Sequence, residues 1–362
     1  MTIPDWLLLD VALVEGVALA GAWLVILAHG VRAMYQRSRE PQIAEARDAV
    51  VGGLLAGSLE ERDREKLEPL SRSERVRLFN RVAPNLRGRE RGWLGELAED
   101  LGLVEYGQRM SRSRFWWRRL RGARLLTLAG GAGDAVLRLA DDPHPLVRSQ
   151  VAEWCGANPS EHAVATLIGM LGDPSQTSRF AVQDALVRIG TETIEPLRDE
   201  LARIPVEAAD IRSERDVKAA IAGLGVARGI GDSRLTDPLL RLTDHPVPEV
   251  RELAYRALGG TGSRDAADRL EQGLEDPDTS ARAAAAAALG ELEHWPAGPR
   301  LARALSDPAW DVRAAAGRAL VRLGPPGELL LRRTMKADDS FAADMARHAL
   351  DTAGVVTRFG GV

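Results

Sequence analysis

Six stretches in the second half of this chain share one pattern: an acidic residue, usually a proline, three or four residues, then valine and arginine, then alanines running to leucine and glycine. Copies open at Asp142-Pro143, Asp173-Pro174, Asp244-His245-Pro246, Asp276-Pro277 and Asp307-Pro308, and Asp338-Asp339 opens a degenerate last one. The arginine slot falls at Arg148, Arg179, Lys218, Arg251, Arg282 and Arg313, with one wide interval between Arg179 and Lys218. A period of roughly 30 to 40 residues means helical hairpins, each too small to bury its own apolar face and stacked on its neighbours. The expected fold class is therefore all-α, an α-solenoid of stacked helical hairpins.

The motif starts and stops a helix. Its Asp can accept backbone N–H bonds at a helix start, and the Pro after it takes the first helical position, where no N–H is missed. Val then falls on the buried face with alanine at helical spacing, as in Val250, Ala254 and Ala257 or Val312, Ala316 and Ala319, and glycine ends the run. Segments 265–274 and 298–305 supply the other helix of their pairs. Almost nothing alternates with the period of a strand.

Formal charge is −4 overall but unevenly spread: residues 30–125 hold 21 basic and 14 acidic side chains, whereas residues 1–29 hold three acids and no Lys or Arg. The single cysteine, Cys155, excludes an intrachain disulfide and reads as a small apolar packer inside a repeat helix.

The stretch from Trp6 to Ala28 is nearly all apolar. At about 1.5 Å per residue it matches the roughly 30 Å hydrocarbon layer, so residues 1–30 are expected to hold a transmembrane anchor. With Arg32, Arg37 and Arg39 after the span, the sequence predicts a single-pass cell-membrane protein, amino terminus outside and solenoid in the cytoplasm. A central Glu15 flanked by Ala12, Gly16 and Ala20 at four-residue spacing predicts an intramembrane contact with a helix of another chain.

Residues 31–108 read as a juxtamembrane helical region of divergent capping repeats, 109–354 as the solenoid and 355–362 as a tail. Ser71 with Glu74 forms a capping-box pattern before the apolar positions Val76, Leu78, Phe79 and Val82. The run from Arg109 to Arg124 carries seven arginines beside Phe115, Trp116 and Trp117. Arg109, Arg112, Arg114, Trp116, Trp117, Arg118, Arg119 and Arg121 are candidate contacts to anionic lipid or a partner, and with residue 39 placed at a membrane surface nucleic acid is the less favoured ligand. A third reading puts 118–130 one period before Arg148, as a repeat helix with packed aromatics and solvated arginines.

Over about residues 110–354 the pattern resembles the HEAT-repeat family, in the short bacterial form of phycobilisome lyases. That resemblance implies that the Val-Arg helices line the concave face. It also implies that Asp142, Asp173, Asp244, Asp276 and Asp307 form a structural polar ladder with Arg148, Arg179, Arg251, Arg282 and Arg313. The inner face is then expected to present Gln150, Glu153, Glu252, Tyr255, Arg256 and Arg318 to a protein partner, with Trp154, Trp295 and Trp310 as further aromatic contacts.

Signs of chemistry are sparse. The six histidines are scattered, no phosphate-binding loop or nucleophile elbow occurs, and Glu161-His162 and Glu293-His294 reverse the His-Glu order that iron-binding HEAT-repeat hydroxylases use. The sequence predicts a membrane-anchored adaptor, not an enzyme, without cofactor, metal or small-molecule substrate. Its expected partner is an integral membrane protein such as a glycosyltransferase for surface polysaccharide. A phycobilin-lyase-like or other small-molecule enzyme using the concave groove, or anionic-lipid or nucleic-acid binding through Arg109–Arg124, stand as alternatives.

Overall fold

The computed structural model describes residues 5–57, 60–83, 86, 88–208 and 213–354, and among these there is no strand. Contacts divide the chain into two units, one of residues up to Tyr106 with Leu128–Gly131, the other of Gly107–Thr127 with residues from Ala132 onward.

The first unit begins with α1 (Asp5–Ala56), followed by α2 (Glu61–Arg64), α3 (Arg72–Val82), α4 (Gly88–Asp100) and the start of α5 (Leu103–Ser111). Pro41 lies inside α1. Ile43, Ala46, Ala49 and Val50 on the far part of α1 join Leu78, Phe79, Leu94 and Ala98 in the core of this unit. Ser71 caps α3 in a complete capping box with Glu74. Glu74 is buried, and Arg39 donates to both of its carboxylate oxygens, at 3.1 and 3.4 Å. The Arg39 guanidinium outweighs the cost of burial and, with Ser71, holds the Glu74 carboxyl down to about 2.

This unit overturns the membrane expectation. Among the described residues no helix is long and apolar enough to cross a membrane. The single-pass topology and the intramembrane role of Ala12, Glu15, Gly16 and Ala20 fall with the span. Glu15, Gly16 and Ala20 are exposed, with nothing within 4 Å of a Cβ built at Gly16. Arg39, read as a charge following a span, is the partner of Glu74. Trp6, Asp10, Ala12, Arg32 and Tyr35 have side chains outside the described residues, as does the tail from 355.

The second unit is the predicted solenoid. One layer contains α6 (Trp116–Ala129), α8 (Pro145–Ala157), α10 (Gln176–Ile189), α12 (Glu214–Ile230), α14 (Pro248–Gly260), α16 (Thr279–Glu291), α18 (Trp310–Arg322) and α20 (Ser340–Thr352). The other contains α7 (Gly133–Leu137), α9 (Glu161–Gly169), α11 (Ile194–Arg203), α13 (Thr236–Leu242), α15 (Ala267–Gly273), α17 (Gly298–Ala304) and α19 (Pro325–Thr334). The first layer, built from the Val-Arg helices, packs closely helix on helix. Val147, Val250 and Val312 are fully buried between the layers.

Small residues make the close packing possible. A Cβ at Gly259 would sit 2.8 Å from Ala288 Cα, and one at Gly290 would sit 2.7 Å from Ala319 Cα. Both glycines lie eight positions past their arginine slots, where each helix meets the next.

Candidate protein-binding surface

The arginine slots fix how successive hairpins are set. Arg148 donates through Nε and Nη2 to Asp173 at 2.5 and 2.8 Å, Arg251 to Asp276 at 2.8 and 2.8 Å, and Arg282 to Asp307 at 2.8 and 3.1 Å. Each pair spans 25 residues, and the Nη1 of each arginine turns back to carbonyls of its own repeat, as Arg282 does to Asp276 at 2.9 Å and Pro277 at 3.3 Å. One guanidinium therefore fastens the motif it belongs to onto the motif that follows, using the fork that lysine lacks. The aspartates do not cap the helices, which start three residues after them; they hold the turn before each, where Ser175, Asp278 and Ala309 donate backbone N–H bonds to Asp173, Asp276 and Asp307 at 2.7, 2.9 and 2.8 Å. Burial pushes the carboxyls of Asp142, Asp173 and Asp276 upward, but their arginines and the backbone N–H groups of the turn overcome it and hold all three below the usual range.

The ladder departs from expectation at several rungs. Arg119 is its first rung, donating to Asp142 through Nη2 at 2.7 Å with 15% of its side chain exposed, so it is no lipid or partner contact. His245, not Asp244, stands six residues before Arg251 and is buried, while Asp244 is exposed and pairs with Arg269. Burial holds the His245 imidazole below its ordinary value. Lys218 pairs with Glu214 in its own helix at 2.8 Å. At the last rung Arg313 lies over the Phe341 ring, 5.5 Å from its centre, and its Nε is buried without a partner.

Held in this way, the Val-Arg helices expose a shallow cleft of about 320 Å³ across α12, α14, α16 and α18. Ala283, Ala284, Ala287, Ala288 and Ala315 floor it, with Arg228, Arg256, Arg318, Glu291 and Asp311 around them. Two of the predicted inner-face residues, Arg256 and Arg318, therefore line one concavity, and Glu252 pairs with Arg256 at 2.6 Å. Gln150 and Glu153 are engaged within the stack, by Thr127 at 3.0 Å and Arg188 at 3.4 Å. Tyr255 is buried and cannot be a surface contact, and Trp154 is buried as well, whereas Trp295 and Trp310 are 68% and 58% exposed. Arg228, Glu291 and Asp311 escape a reading of the sequence. Arg256, Ala287 and Arg318 all stand five past a slot, whereas Arg228 stands ten past Lys218, Glu291 nine past Arg282 and Asp311 two before Arg313, so no shared register position marks them.

Elsewhere the described residues hold no group of three or more His, Cys, Asp or Glu that could bind a metal ion. Glu161 and His162 form the first turn of α9. Cys155 is buried, and burial pushes its thiol up to about 12, which removes the nucleophilic thiolate.

HEAT repeats match residues 134–214, 206–289 and 268–351 of the chain. No curated protein matches. Among solved structures, the complex of CpcE and CpcF of phycocyanin lyase from Nostoc is similar at 20% identity, over 69% of this chain and 94% of that one, with a TM-score of 0.34. Escherichia coli YibA is similar at 20% identity over 71% and 97%, TM-score 0.39, and human deoxyhypusine hydroxylase at 21% over 72% and 99%, TM-score 0.29. At these scores none of them argues for what this chain does. The expectation that the chain is not an enzyme does not stand, because one repeat fold hosts catalytic and non-catalytic proteins alike.

Proposed function

The chain belongs to the HEAT-repeat family, and from that premise we propose that its second unit is a docking scaffold that receives a protein segment in the cleft across α12 to α18. One observation carries this reading. An alanine floor crosses α16 and α18, and Arg228, Arg256 and Arg318 stand at its edges with Glu291 and Asp311. Small side chains let a segment approach the helices closely, while fork-shaped guanidinium groups offer directional bonds to its carboxylates and carbonyls. Mixed charge around an apolar floor suits a partner read by register as much as by net charge.

Photo-crosslinking tests the reading. A photoreactive residue at Ala287 should trap one discrete partner, one at the exposed Leu329 of α19 should not, and Ala287→Trp, which fills the cleft, should abolish capture from position 318. Equal capture from Leu329, or capture indifferent to the Trp substitution, would reject the cleft as the docking surface.

A further inference from the structure

The segment from Gly107 to Thr127 contains seven arginines and no Asp or Glu. Arg119 is spent on Asp142, while Arg112, Arg114, Arg118, Arg121 and Arg124 are exposed. Arg118, Arg121 and Arg124 follow at three-residue steps along α6, and Trp117 precedes Arg121 by four and Arg124 by seven, which puts the ring beside the cationic stripe.

The aromatic side chains are ordered as plates. Phe115 and Trp117 stack with centroids 4.5 Å apart, and Trp116 lies on His144 at 3.8 Å with only 2° between the rings. Arg114 and Arg118 stand over Phe115 at 4.5 and 5.7 Å. Trp116 and Trp117 nevertheless remain 37% and 45% exposed. The Arg119 to Asp142 rung and the Trp116 to His144 stack fix this end of α6, so little side-chain freedom is left to lose when a ligand arrives.

We propose that this surface binds single-stranded nucleic acid, with Trp116 and Trp117 as platforms for bases and Arg112, Arg114, Arg118 and Arg121 as phosphate contacts. Exposed rings beside unneutralised guanidinium groups give the two terms such binding needs, base stacking and counterion release. A duplex keeps the faces of its bases covered and would use only the charges. An anionic lipid surface would use the same rings and charges, and vesicle flotation separates it from binding of the strand. The membrane placement that favoured lipid over nucleic acid no longer holds.

The test is fluorescence anisotropy of a labelled oligouridine of about 12 nucleotides with the full chain, between about 50 and 200 mM salt. Binding should weaken with salt. Trp117→Ala should lower affinity by roughly tenfold with the salt slope retained. Arg114→Gln with Arg118→Gln should flatten that slope by about one unit or more. Circular dichroism of both variants controls for folding, and because the two changes move different parameters, a loss common to both does not count as support. No saturable binding at about 100 mM salt, duplex bound as tightly as single strand, or flotation with anionic vesicles without oligonucleotide binding would each overturn the proposal.

Discussion

At the scale of single residues, the stack depends on charge pairs that are worth little on a surface and much when buried. Arg148 and Asp173 are 11% and 4% exposed, so Arg148→Ala strands a buried carboxylate and should destabilise the second unit by about 3 kcal/mol in urea denaturation. Arg148→Lys should recover only part of that, since an ammonium cannot serve Asp173 and two carbonyls in one plane. The ladder also sets the acid response. Asp142, Asp173 and Asp276 are held below the usual carboxylate range, so their contribution is complete above about pH 4 and is lost as pH falls further. His245 acts higher on the scale. Its folded value is depressed, the unfolded chain binds the extra proton, and stability should decline as pH drops below about 6.5. His245→Gln should erase that upper step in a series of urea midpoints and leave the acid limb in place. The motif makes most rungs legible, but it offers Asp244 one position early, because that residue opens the copy as the other aspartates do. Counting six back from Arg251 identifies His245. Arg119 hides among surface arginines, and its spacing to Asp142, 23 in sequence against 25 for the rungs that follow, keeps it out of register with them.

At the scale of elements, what is legible is what local chemistry decides. The Ser71 capping box and the apolar spacing of Val and Ala follow from hydrogen-bond and packing rules acting within one or two turns, whereas the proline of the motif does not open its helix: α8, α10, α14, α16 and α18 each start two residues after it. Two elements mislead for one physical reason, that periodicity records which side chains are apolar and not what covers them. The run after Trp6 has the look of a span, and Tyr255, on the Val-Arg helix α14, has the look of a contact although Gly273 leaves room for its ring. Gly290 shows how closely these helices depend on a missing methyl. Gly290→Ala would place a carbon 2.7 Å from the backbone of α18, where no rotamer change can give way. The helices must part, and the expected cost is about 1–3 kcal/mol despite the better helix propensity of alanine. Gly169→Ala, with nothing within 4 Å of the added methyl, serves as the matched control and should be neutral or slightly stabilising. Thermal midpoints of the two variants measure the difference directly.

At the scale of the whole molecule, a stack in which each hairpin touches only its neighbours has a stability that is a sum of local terms, and it yields first where an interface is poor. The second unit has one such place. Rungs run from Arg119 through Asp173 and again from Arg251 through Asp307, but between them Arg179 donates to the carbonyl of Asp173 at 2.6 Å and meets Glu214 of α12 through charge, without the forked aspartate bond of the other rungs among the described residues. At the spacing of the intact rungs Arg179 would meet Ile204, which offers no carboxylate, and the interval from Arg179 to Lys218 is the widest between any two slots. Buried His245 then replaces the aspartate that a preceding arginine would have gripped. Native-state hydrogen exchange should therefore show two groups of protected amides, α8 with α10 and α14 through α18, whose opening free energies differ and respond separately to mutation. Arg282→Ala should lower protection in α16 and α18 and leave α8 unchanged, while Arg148→Ala should do the reverse. If both variants lowered protection uniformly from α8 to α18, the stack would be unfolding as one unit, and the interruption after Arg179 would have no energetic meaning. The cleft proposed for docking is lined from the second of these groups except for Arg228 of α12. A ligand bound there should raise protection in α14 to α18 more than in α8 and α10, and the same exchange experiment reads that difference.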